Sequence, residues 1–311
     1  MKWLYGRRLS LIAVAVSTLS GPALSQEITL LPGESLPILE NVEFKSTVTL
    51  AASGIYTYAY SLTNPLTNTG EIWTINIDIT APSGGQDVGA EGVVSGPRYT
   101  RHSSELVLSE IGRPLIPVGL FSPPEWISGL SIGGTAGWGG SDAPFLIHPG
   151  KSLAGFQLTS RGLPGIRSAQ IKPEFKQTPV DEATDENTER LRAIKKAIVV
   201  TQKTLGPTAP PASFVALDFI TYIEDLKHQA QALGWITNEG IVKSLDVKLD
   251  QARKHLQAGY PKTAANVIRA FMNEVSAQGC STREVCPPGK HLTPEASGLL
   301  YFNAQYLLDH L

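Results

Sequence analysis

The chain has 311 residues, 42% of them hydrophobic and 17% charged, with 26 Lys and Arg against 28 Asp and Glu. That composition is globular and long enough for two domains, and 29 Gly with 22 Pro point to many turns. Without residues 1–25, which hold three basic groups and no acid, 23 basic groups face 28 acidic ones, a balance of −5 that excludes the basic footprint of a nucleic-acid partner.

The first residues read as an export signal. Lys2, Arg7 and Arg8 precede an apolar run from Leu9 to Leu19, Gly21-Pro22 breaks it, and Ala23-Leu24-Ser25 offers a small-residue cleavage site. Residues 1–25 are expected to be removed, leaving a chain that begins at Gln26 in the periplasm or outside the cell. The run is too short to span a bilayer, and no later stretch reaches 18 apolar residues, so no transmembrane anchor is expected.

Residues 26–175 read as an antiparallel β-sandwich, with a closed barrel as the alternative. In Ile55 to Leu62 the residues Tyr56, Tyr58, Tyr60 and Leu62 share one face. In Glu71 to Thr80 the residues Trp73, Ile75, Ile77 and Ile79 do the same. The turn-rich Asn64 to Gly70 between them predicts a hairpin. Shorter strands are expected around Thr29–Leu31, Phe44–Leu50, Glu105–Leu108, Phe145–Ile147, Leu153–Thr159 and Ser168–Ile171.

Three features of this region could bear function. The glycine-rich run Gly129 to Gly140 carries Trp138, which either stacks on a sugar ring or packs into the sandwich while the glycines shape bulges. Trp126, just before it, is a second aromatic that could form an exposed binding strip. Asp87 and Glu91, in an acidic loop, either hold Ca2+ with backbone carbonyls or form a solvated turn without the EF-hand pattern. Tyr99 and Arg101, beside His102, either bind an acidic or sugar ligand or mark an exposed strand end. No G-x-S-x-G elbow, H-E-x-x-H pair or phosphate-cradling glycine loop occurs, and the six histidines share no ligand spacing. No metal site beyond the Ca2+ alternative and no cofactor are expected.

Residues 176–213 read as a linker: an acidic run, a short amphipathic helix within Thr188–Val200, and a stiff spacer at Thr204 to Pro211 with three prolines. Residues 214–311 then carry four helical stripes. The first, Leu217, Ile220, Ile223, Leu226, Ala230 and Leu233, stops at Gly234. The second follows Asn238 as N-cap, and the third opens on Pro261. The last opens on Thr293-Pro294-Glu295. Short connections make the four helices antiparallel neighbours. The fold class is therefore multi-domain β + α, a sandwich followed by a four-helix domain. Asn303 interrupts the last stripe and needs a hydrogen-bond partner, with the chain near Gly234-Trp235 as one source. Trp235 reads as a cap over the helix ends or as an exposed anchor. Cys280 and Cys286, the only cysteines, would meet an oxidising compartment, where a disulfide closing a seven-residue ring would contribute about 2–3 kcal/mol.

Ala232-Leu233-Gly234-Trp235-Ile236, Ser244-Leu245-Asp246-Val247-Lys248-Leu249, Ala270-Phe271-Met272-Asn273-Glu274-Val275 and Asn303-Ala304-Gln305-Tyr306-Leu307 stand in an order and spacing that resembles the FIMAH-type helical module of exported bacterial proteins. The resemblance covers about residues 215–311. It supplies no catalytic residue to carry over and implies an accessory role in binding or anchoring. The expectation is an exported, non-catalytic binding or interaction protein with a carbohydrate or cell-envelope ligand. The rival readings are a polysaccharide-active enzyme with its site in the β domain and a structural envelope or matrix component.

Overall fold

The structure is a computed structural model that describes residues 12–14, 28–79, 118–131, 134–179, 184–211, 213–280 and 287–311. Strands β1 (Ile12–Val14) and β2 (Ile28–Leu30) pair antiparallel. Nine further strands build two facing sheets: β3 (Glu43–Leu50), β4 (Tyr56–Asn64), β5 (Ile72–Asp78), β6 (Val118–Phe121), β7 (Trp126–Ser131), β8 (Thr135–Gly140), β9 (Lys151–Ser160), β10 (Leu163–Pro173) and β11 (Val200–Thr208). One sheet has the order β3-β4-β9-β6 and the other β11-β10-β5-β8-β7, every pairing antiparallel. Helix α1 (Asp185–Ala197) lies between β10 and β11, and α2 (Ala216–Ala232), α3 (Glu239–Gln257), α4 (Pro261–Gln278) and α5 (Pro294–Asp309) follow. The N-terminal antiparallel sheets and the C-terminal helices are thus as expected.

The alternation in β4 holds along its length: Tyr56, Tyr58, Tyr60 and Leu62 are all buried. The expected β4–β5 hairpin does not form. The two strands belong to opposite sheets, and the chain between them crosses the sandwich. Asn64 pins that crossing, its buried Nδ2 donating to the carbonyls of Gly70 (2.9 Å) and Ile147 (2.8 Å). Period-2 alternation identifies a half-buried strand but not its partner.

The proline-rich spacer is also corrected. Val200–Thr208 is the edge strand of the five-stranded sheet, in register with β10 from Ile171↔Val200 to Leu163↔Thr208. Pro164 and Pro207 stand opposite each other, and β11 has a neighbour on one side only, where prolines are tolerated in sheets. The short helix exists as α1, capped by Thr184. Its Arg190 Nη1 donates to Glu34 Oε2 at 2.5 Å. Burial alone would raise the Glu34 carboxyl, but Arg190 and the Leu31 and Thr178 amides outweigh it and hold it below its usual range.

The helices are packed against the sandwich rather than held off on a tether, and a single apolar core runs through both. Helix α5 closes the gap between β3 and β11. Glu295 Oε1 accepts the edge-strand amide of Ser46 at 2.7 Å, and Asn303 Nδ2 donates to Pro164 O and to Leu299 O, each at 2.8 Å. The partner of Asn303 is therefore β10, not the Gly234-Trp235 turn. Gly298 lets the helix approach Val48, because a Cβ there would overlap that side chain. A helix that takes up an exposed strand amide covers an edge that would otherwise pair with another chain.

Candidate functional site

Trp126 and Trp138 are interior residues, 1% and 2% exposed. Both pack on Phe156, with ring centroids 4.9 and 6.0 Å away. The glycine-rich run is the β7–β8 hairpin, and Gly140, opposite Trp126 in the register, leaves room for Leu146, which a Cβ there would overlap. These two candidates cannot reach a ligand, because inward positions of a sandwich strand are filled by the facing sheet. Trp235 is half-buried at the α2–α3 turn. Its N–H donates to Ala230 O and its carbonyl accepts from Thr293 N–H, both at 2.9 Å, which makes it a cap joining α2 to the start of α5. Asp87, Glu91, Tyr99 and Arg101 lie outside the described residues.

Among the described residues the exposed indole is Trp73, 45% accessible, where simple alternation puts it inside. Thr74 pairs with Lys172 and Ile72 with Pro173, so Trp73 has no opposite number and forms a β-bulge. The bulge restarts the alternation: Ile72 and Ile75 face the core, and Trp73 and Thr74 do not. The signal was present in the sequence, since Ile72, Ile75, Ile77 and Ile79 are spaced three, two and two.

Polar groups gather around this indole. Glu174 N–H donates to Glu71 O at 2.9 Å, one step beyond the buried Pro173↔Ile72 pair, so the two glutamates stand opposite each other on the outer face. Like charges so placed oppose folding. Glu71 is relieved by His148 Nδ1 at 2.9 Å and Lys176 Nζ at 3.7 Å. Glu174 Oε2 and Thr74 Oγ1 are buried and have no hydrogen-bond partner among the described residues. Gly139 and Gly137 on β8 stand opposite Thr74 and Asn76, and the side chains of those two residues lie over them. An exposed indole and the partly exposed Glu71 carboxylate thus share this face, while Glu174 Oε2 and Thr74 Oγ1 are closed off from solvent.

A second charged cluster lies between α2 and α3. Glu224, His228 and Asp246 offer ligand atoms within 4.8 Å of one another, a spacing that could hold a metal ion. The buried Lys227 ammonium already lies against Asp246 and 3.2 Å from His228 Nε2, and Arg253 Nη2 lies 2.5 Å from Glu224 Oε2. Two protein cations therefore occupy the surroundings a metal would need.

Residues 220–309 match the family model described as the FIMAH domain. No curated protein matches the chain. Among solved structures, the chain is similar to an uncharacterised protein from Nocardia farcinica whose crystal structure is described as revealing an immunoglobulin-like fold. That likeness is 8% in identity with a TM-score of 0.28, and covers 54% of this chain and 98% of the other. The sandwich rests on the strand pairings themselves, independently of that likeness.

Proposed function

We propose that this is an exported, non-catalytic binding protein whose sandwich grips a glycan on the outer face of the five-stranded sheet, with the helical module as an accessory element. The observation that carries the reading is the bulge that turns Trp73 outward on the outer face of the sheet, beside the partly exposed Glu71 carboxylate. An indole face packs against the C–H face of a sugar, and the sugar's hydroxyls donate to carboxylate oxygens. The test is a glycan array with the mature chain, Gln26–Leu311, beside its Trp73→Ala variant. Retained glycans are expected to bind at least about tenfold more weakly to the variant, the loss of an aromatic anchor worth roughly 1.4 kcal/mol or more. Equal binding by the two proteins, or no retained glycan, sinks the reading.

Export and the disulfide belong to the same proposal. In their support, Cys280 is buried and no described cysteine is a free thiol. No helix among the described residues is long and apolar enough to cross a membrane. The intact mass of the protein recovered after export is expected to correspond to a start at Gln26 and a chain lighter by two hydrogens, with no thiol labelled under denaturation. Two labelled thiols would exclude the bond, and a retained N-terminus would exclude cleavage.

A further inference from the structure

The seam between sandwich and helices holds a cavity of about 280 Å3, close to the lower size of small-molecule sites and at the kind of junction where such sites occur. Leu163 at the start of β10, Val215 and Phe219 give it apolar walls, and Thr208 and Tyr222 add hydroxyls. Asp218, in the first turn of α2, also lines it and is exposed. Its carboxylate has no ion-pair partner among the described residues.

The charges give the cavity a direction. On the inner side, the buried Arg167 guanidinium donates to Pro207 O at 2.8 and 2.6 Å, and its field reaches the Tyr222 hydroxyl. The Asp78 carboxylate offsets part of that charge, and what remains disfavours a positive group pushed inward. At the rim the Asp218 carboxylate is the complementary charge, and Phe219 and Tyr222 line the cavity beside it.

We infer that this cavity is a second binding site, separate from the Trp73 face, for an organic amine that seats an apolar or aromatic body between Leu163, Val215 and Phe219 and keeps its ammonium against Asp218. A neutral compound of the same shape fills the walls but forgoes the ion pair. A carboxylate of the same shape meets Asp218 as a like charge.

The experiment titrates the mature protein with 2-phenylethylamine, 2-phenylethanol and phenylacetate, following binding by protein chemical shifts. The amine is expected to bind about fivefold tighter than the alcohol, the factor set by a partly exposed ion pair of roughly 1 kcal/mol, and phenylacetate weakest. Asp218→Asn is expected to bring amine and alcohol to equal affinity without changing the alcohol's. Val215→Trp, which crowds the rim at an exposed position, is expected to weaken all three. Equal affinities in the unmodified protein, an amine preference that survives Asp218→Asn, or no binding of any of the three overturns the inference. None of these outcomes bears on glycan binding at Trp73.

Discussion

Replacing Asp246 with alanine is expected to destabilise the protein by about 3–5 kcal/mol, the cost of leaving one buried charge without its partner. The Lys227 side chain is 0% exposed, so its ammonium has no direct access to solvent. It lies between Asp246 Oδ1 and His228 Nε2, and the imidazole offers a lone pair but no negative charge. Glu224, whose carboxylate lies within 4.8 Å of that of Asp246, is already paired with Arg253. The double variant Lys227→Met, Asp246→Leu is expected to recover most of the loss, because apolar groups of similar size often replace a buried pair at little net cost. Urea unfolding of the mature protein measures both. A cost below about 1 kcal/mol for Asp246→Ala would mean that Lys227 finds water, and a double variant no better than the single one would mean that packing, rather than charge, decides.

The helical half was far more legible in the sequence than the sandwich, and the reason is physical. A helix declares itself through its own apolar stripe and caps. Asn238 accepts from the Gly240 and Ile241 amides as its position suggested, and Thr293 accepts from Ala296 N–H. A strand declares only that one face is buried. Its partner lies elsewhere in the chain, which is why β4 and β5 could be read as strands and still be assigned to the wrong neighbours. Val200–Thr208 carries prolines at Pro207 and just beyond its end, so local propensity points away from a strand. Pairing with β10 and packing under α5 override it. The docking of helices on sheet was not legible either. Glu295 reads equally well as an ordinary first-turn acid, and only the fold brings it to the Ser46 amide, 249 residues away in the chain.

Tryptophan is ambiguous between structure and function, because its size suits both a core and a binding face. The two roles separate by measurement. Trp138→Ala is expected to cost about 3–5 kcal/mol, the range for deleting a large buried aromatic. Its ring lies 5.7 Å from that of Tyr60 and 6.0 Å from that of Phe156, both on the facing sheet. Its Nε1–H donates to Phe121 O at 2.9 Å, so the indole also ties the five-stranded sheet to β6 of the other. Trp138→Phe keeps most of the volume and drops that hydrogen bond, and is expected to fall between the parent and the alanine variant. Trp73→Ala removes an indole that is half in water and is expected to change stability by no more than about 0.5 kcal/mol while weakening glycan retention. Thermal and urea unfolding of the three variants, set beside their glycan binding, decides the assignment. A stability loss at Trp73 comparable to that at Trp138 would make the bulge a packing device and remove the sheet face as a binding site.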